Sequence, residues 1–232
     1  MEHLEFQTWR VINRAVSSPA FNMALDEALL EAAPESSEPI LRFYGWSAAA
    51  ATFGYFQKSS DASAGTELRP LIRRPTGGGL VPHSHDWTYS LVFPTSHEWY
   101  RLSARASYCR VHDWVAAAFQ ELGVLAALST AAEGGIPGRC FIGAEEADVV
   151  LNGQKIAGAA QRRSRNGLLI QGSIQPPEAA GERSAWEIVF CKLATSRWNV
   201  LWRPYEITGS ILARARSLEV EKYSQAAYNE RR

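Results

Sequence analysis

The sequence predicts an α+β fold, a mixed or largely antiparallel sheet with packed helices, on three observations. Strand-like runs outnumber helical ones, they do not alternate with helices as βαβ units would, and Val149–Ile174 contains two hairpin turns in succession. Within that stretch Val149–Leu151 meets Asn152-Gly153, Gln154–Gln161 follows, and Arg165-Asn166-Gly167 leads into Leu168–Ile174. Asn-Gly between apolar runs favours a tight turn because both residues tolerate positive φ, so a three-stranded antiparallel meander is expected here. Earlier strand-like runs are Trp9–Val11, Leu41–Tyr44, Ala50–Gly54, Leu71–Arg74 and Thr88–Phe93.

Three helices are expected. Ser18 can cap a helix that starts at Pro19 and stops near Ala33, where Pro34 interrupts it. Ser103 can cap a second, Ala104–Leu122, in which Tyr108, Val111, Val115, Ala118 and Leu122 form an apolar stripe before Gly123. A third lies near Ile207–Leu218. The loops Pro34–Pro39 and Gly134–Gly138 are too short to be domain linkers, so residues 1–232 are expected to form a single domain.

Composition narrows the function classes. The 24 Lys+Arg balance 24 Asp+Glu at zero net charge, which argues against a duplex nucleic-acid binder or a polybasic membrane-surface protein. With 46% apolar and 21% charged residues the chain can bury a large core. It holds neither a run of 18 apolar residues nor a secretory signal pattern, and a cytoplasmic location is expected. Three cysteines, Cys109, Cys140 and Cys191, without CxxC spacing point away from a disulfide framework or a zinc site.

The chemistry concentrates in Ile72–Ser90, IRRPTGGGLVPHSHDWTYS. Gly77, Gly78 and Gly79 leave a bare backbone whose N–H groups can approach a ligand, and Arg73 and Arg74 offer planar forks for an anion. The segment matches neither GxGxxG nor a P-loop, and the competing reading is a hairpin loop with two solvated arginines. His83 and His85 are spaced to share a strand face, with Asp86 on the other, and no metal site is expected from them. Lys155 follows the Asn152-Gly153 turn; alternation groups it with Ala157, Ala159 and Gln161, opposite Ile156, Gly158 and Ala160. It reads either as a ligand-facing cation or as an ordinary hairpin lysine. Cys140, in the glycine-rich loop beside Arg139, reads either as an activated thiolate or as a small buried hydrophobe. Cys109 and Cys191 read as buried hydrophobes.

Together the blocks NMALDEALL (Asn22–Leu30), LRFYGW (Leu41–Trp46), TFGYFQ (Thr52–Gln57), RRPTGGG (Arg73–Gly79), GQKIAGAAQRR (Gly153–Arg163) and QGSI (Gln171–Ile174) resemble the lipoate–protein ligase and octanoyltransferase family. The resemblance implies a biotin/lipoate ligase-like α+β catalytic domain. It implies an enzyme that attaches lipoyl or octanoyl groups to one lysine of a lipoyl domain, as found in 2-oxoacid dehydrogenase and glycine cleavage proteins. It assigns substrate binding to Arg73, Arg74, Gly77, Gly78, Gly79 and His83, and a catalytic place beside the acyl carbonyl or adenylate phosphate to Lys155.

Two branches of the family remain open. One moves octanoyl from acyl carrier protein through a cysteine, needs no cofactor, and assigns the nucleophile to Cys140, which precedes Phe141. The other uses ATP and magnesium to form an acyl-adenylate. The TYS at Thr88–Ser90 and the expected absence of a C-terminal ligase accessory domain favour the first, whereas Gly79 is more ligase-like. Segment Gln161–Gly167 also resembles the related amidotransferases. A non-catalytic acyl-binding protein is the reading from another class.

Overall fold

The computed structural model describes residues 6–130, 141 and 143–231. Among these, an eight-stranded sheet runs in the order β11-β1-β2-β6-β10-β9-β8-β7. Its strands are β1 (Gln7–Ser17), β2 (Ile40–Trp46), β6 (Trp87–Pro94), β7 (Ala127–Leu128), β8 (Val149–Leu151), β9 (Gln154–Ser164), β10 (Gly167–Ile174) and β11 (Val200–Pro204). β1 runs parallel to β2 and β11, and every other neighbour pair in this sheet is antiparallel. A small sheet, β4-β3-β5, is formed by β3 (Ala50–Phe53), β4 (Leu71–Arg73) and β5 (Val81–His83). The mixed α+β class and the β8-β9-β10 meander follow the sequence expectation.

The helices are α1 (Pro19–Ala32), α2 (Ser59–Ala64), α3 (Glu98–Arg101), α4 (Ala104–Glu121), α5 (Arg183–Trp198), α6 (Gly209–Leu218) and α7 (Ala226–Asn229). Ser18 caps α1 by accepting from the Phe21 amide at 3.0 Å, and Ser103 caps α4 by accepting from Ala106 at 3.1 Å. Gly123, at φ +79°, ends the α4 turn. No described helix is long and apolar enough to cross a membrane.

α5 and β11 are absent from the sequence reading, for identifiable reasons. The run Ile188–Leu193 is too short to show a helical stripe by itself, yet Trp186, Phe190 and Ala194 recur four apart and are buried, while Ile188 is exposed. β11 is a five-residue edge strand that ends in proline.

The central strands divide their side chains between two faces. Leu41 and Phe43 of β2, Trp87, Tyr89, Leu91 and Phe93 of β6, and Leu168, Ile170 and Ile174 of β10 enter one core with α4 and α5. Ile40, Tyr44, Val92 and Leu169 enter a second core with α1 and α6. The same alternation turns Arg42, Thr88, Ser90, Gln171 and Ser173 toward the α1 side. That face therefore carries a stripe of buried polar groups, and each must be hydrogen-bonded.

On α4, the fully buried His112 uses Nδ1 to donate to the Ala147 carbonyl at 2.7 Å, and its Nε2 has no partner among the described residues. Burial lowers this imidazole to about 4. His97, also lowered by burial, likewise lies at about 4. Below the unfolded value near 6.5 the unfolded chain takes up protons that the folded chain refuses, so stability is full above pH 6.5 and declines toward pH 4. The His112 gap, at ~1.4 kcal/mol per pH unit, contributes about 3 kcal/mol to that decline. Urea unfolding from pH 7 to 4.5 should show this acid limb, and His112→Asn, which keeps a donor for Ala147, should flatten it. An equally steep limb in the variant would show that His112 does not generate it.

Candidate active site

The triple-glycine loop joins β4 to β5. Gly78 takes φ +81°, and a Cβ on Gly54 would lie 1.9 Å from the Gly78 carbonyl oxygen, so the loop rests on bare backbone. Neither arginine is solvated. Arg74 donates Nε and Nη2 to the Gly77 carbonyl at 3.0 and 2.5 Å, and Nη2 to Gly79 at 2.7 Å. Arg73 donates to the carbonyls of Tyr55 at 2.9 Å, Gln57 at 2.7 Å and Asn229 at 3.0 Å. Their charges build the loop from behind and fasten it to the chain near Asn229.

Thr76 ties this loop to the main sheet. Its hydroxyl donates to Gln171 Oε1 at 2.7 Å, and Gln171 Nε2 donates to Asp26 Oδ2 at 2.7 Å. Asp26 Oδ1 accepts from Arg42 Nη1 at 2.6 Å and from Ser90 Oγ at 2.8 Å. All five residues are buried, so the loop is anchored by a dry polar chain that ends in an ion pair.

His83 is buried and stacked on Trp46 with ring centroids 3.8 Å apart. Its Nδ1 lies 2.8 Å from Asp86 Oδ2, and its Nε2 lies 2.8 Å from Thr52 Oγ1. Regular alternation had separated His83 from Asp86. β5 stops at His83, however, and bends at Ser84 and the exposed His85 return Asp86 to the histidine. Asp86 Oδ2 also accepts from Thr88 Oγ1 and Ser173 Oγ, whereas Oδ1 is buried with no partner among the described residues.

Lys155 departs from the expected face as well. In the β8–β9 pairing Val150 opposes Lys155 but Val149 opposes Ala157, so Ile156 is an extra residue. This bulge sends Ile156 and Ala157 together into the α4 core and leaves Lys155 with Gly158. A Cβ on Gly158 would lie 2.8 Å from Lys155 Cε and 3.1 Å from Nζ; glycine keeps the slot that the lysine occupies. The amine lies 2.7 Å from Asp148 Oδ2, and both side chains are almost fully buried.

Register places the lysine relative to the loop. Gly158 opposes Ser173 and Ala160 opposes Gln171, and directly opposed residues share a face. Lys155, lying against Gly158, is therefore on the sheet face that carries Ser173, Gln171 and the Thr76 loop anchor. Lys155 covers Gly158, and the small, only partly covered Ala160 lies on the strand between the lysine and Gln171. Beside Lys155 a cleft of about 400 Å³ is lined by Phe141, Gly143, Ala144, Asn152, Gly153, Gln154 and Lys155. The Lys155 Nζ lies 5.5 Å from the Phe141 ring centre.

Cys140 and the loop Gly134–Gly138 lie outside the described residues. Burial pushes the Cys191 thiol up to about 12, in keeping with an inert role. Asp148, Tyr108, Asp26 and Gln171 were missed in the sequence. For Asp148 the plain hairpin register gives no signal: counted back from the turn it sets Asp148 opposite Ala157, and only the bulge brings it beside Gly158.

The site distinguishes a loop residue that only builds from a glycine that only makes room. Gly158→Ala should displace the Lys155 amine and depress any lysine-dependent activity at least tenfold while changing Tm little, since the clash is with a side-chain stem. Thr76→Val should cost about 1–2 kcal/mol in urea unfolding by stranding the Gln171 carbonyl. Unchanged values in these assays would count against each assignment.

A family profile described as the lipoyl protein ligase A/B catalytic domain matches residues 18–175, which include all six sequence blocks. An octanoyltransferase, LipM, of Moorella thermoacetica is 37% identical over 177 residues, covering 72% of this chain and 65% of that protein. The octanoyltransferase LipM of Bacillus subtilis is 34% identical over 184 residues, covering 74% and 66%. The chain thus aligns with just under two thirds of these relatives. Among solved structures, a lipoate-protein ligase A bound with ATP superposes with a TM-score of 0.76 at 20% identity, covering 97% of this chain and 98% of that one. The bi-partite lipoate protein ligase of Thermoplasma acidophilum gives 0.73 at 20% identity, covering 97% of each. These structures share the fold.

Proposed function

We propose, because this chain belongs to the lipoyl protein ligase A/B catalytic-domain family, that it transfers an octanoyl group from a thioester to the acceptor lysine of a lipoyl domain. The observation that carries the reading is the buried Lys155 amine on the same sheet face as the glycine-loop anchor, beside a cleft shared with Phe141. The similarity to two octanoyltransferases supports octanoyl transfer rather than adenylate formation.

In the proposed reaction the Cys140 thiolate attacks the thioester carbonyl of octanoyl acyl carrier protein. The carrier's C–S bond breaks, its thiolate leaves, and the acyl group is held on Cys140. The neutral amine of the lipoyl-domain lysine then attacks that carbonyl, the Cys140 thiolate leaves, and the amine's surplus proton passes to solvent as the amide forms. Each attack places negative charge on the carbonyl oxygen. The Lys155 ammonium would meet that charge in a site partly shielded from water, where a fixed cation is worth most. Backbone of Gly77–Gly79, stiffened by Arg74, would border the acyl end, with Ala160 beneath it. His83 would line the same wall through Trp46 and Asp86. A thioester donor carries its own activation, so the reading calls for no ATP, magnesium or other cofactor.

Intact mass of a lipoyl domain tests the proposal. Incubation with the protein and octanoyl carrier protein should add one octanoyl group, and Cys140→Ala should abolish the gain. A mass gain only with ATP and free acid, indifferent to Cys140→Ala, would replace this reading with the ligase one. Acyl binding without any gain would reduce the protein to a binder.

A further inference from the structure

The lysine is not left to find its own place. Asp148, with no solvent exposure, accepts the Lys155 amine on Oδ2 at 2.7 Å. The same oxygen accepts from the Glu145 amide at 2.7 Å, and Oδ1 accepts from the Tyr108 hydroxyl of α4. The carboxylate is thus fixed at both oxygens before it meets the amine. Its backbone is fixed too. The Asp148 amide donates to the Glu145 carbonyl, and the Ser129 amide donates to the Asp148 carbonyl at 2.8 Å.

The preceding residue, Ala147, is held at φ +67°, a left-handed conformation that an alanine adopts at a cost of about 1–2 kcal/mol. Its amide donates to Ser129 at 2.8 Å and its carbonyl accepts from His112 Nδ1 at 2.7 Å, which holds it there. Strain of this kind persists only where surrounding contacts over-determine it. Here the contacts converge on aiming one carboxylate at one amine.

A pair kept for stability alone would be a poor use of these groups, because two buried charges seldom gain more than their desolvation costs. The second observation is Gly158, which removes the one side chain that would push the amine off its carboxylate. We propose that Asp148 is a positioning residue that holds the Lys155 amine over Gly158, and that Tyr108 and the His112–Ala147 contact in turn hold Asp148. The inference deepens the transferase reading and rests on it for the reaction that the lysine serves.

Two readouts on the full chain test it. The first needs no substrate: trace acetylation of Lys155 by acetic anhydride across pH, read by peptide mass spectrometry. Asp148→Asn should lower the labelling midpoint by about one pH unit or more, as loss of an adjacent opposite charge does. Tyr108→Phe, which preserves the ring's packing, should shift it the same way by less. The second is octanoyl transfer, in which Asp148→Asn should lower kcat about 100-fold with KM little changed, and Asp148→Glu should recover part of the loss. Labelling midpoints unmoved in both Asp148→Asn and Tyr108→Phe would overturn the inference; should Asp148→Asn fail to fold, Tyr108→Phe alone decides it. A wild-type protein that transfers no octanoyl group would instead overturn the transferase reading, and the labelling result would still settle how the lysine is held.

Discussion

Asp26 is a carboxylate without solvent contact, and the architecture around it follows from the need to answer its charge. It sits on α1 and receives Arg42 from β2, Ser90 from β6 and Gln171 from β10, with the Tyr44 hydroxyl 3.2 Å from Oδ2. One side chain thereby fixes the helix against three adjacent strands. Gln171 passes the constraint to Thr76, and so to the glycine loop. Removing one partner from such a group is expensive, since the charge that remains is buried and unanswered. This explains how a loop of three consecutive glycines is held in one place.

The two halves of the candidate site are built on opposite principles. The loop side is rigid because Arg74 holds the carbonyls of Gly77 and Gly79 and a buried ion pair anchors its threonine through Gln171. The lysine side is rigid because a β-bulge turns one residue out of register and a glycine makes room for it. Between them lie small residues of β9 and the hydroxyl of Ser173, which bonds Asp86. An extended, uncharged chain could lie on such a floor with its reactive end toward the cation, which is the arrangement acyl transfer requires.

Much of this was legible in the sequence where a local rule sufficed. Ser18, Ser103 and the Asn152-Gly153 turn announce their elements, and the meander could be drawn from turn chemistry alone. What escaped depended on the path of the backbone, which bends, bulges and loop turns decide. Arg73 and Arg74 look like ligand-binding forks, but their targets are carbonyls whose positions only the fold reveals. The His83–Asp86 pair requires the strand to end two residues early, and the Lys155–Gly158 pairing requires a bulge that strict alternation forbids. α5 was hidden because the four-residue recurrence of Trp186, Phe190 and Ala194 emerges only over a window longer than its apolar run.

The proposed transfer requires the protein itself to carry the acyl group between its two half-reactions. Acid quenching after brief exposure to octanoyl carrier protein, followed by peptide mapping, measures this directly. The account predicts an octanoyl thioester on the peptide that contains Cys140, discharged on adding a lipoyl domain. A lipoyl domain that becomes octanoylated under these conditions while no acyl group is ever found on that peptide would contradict it.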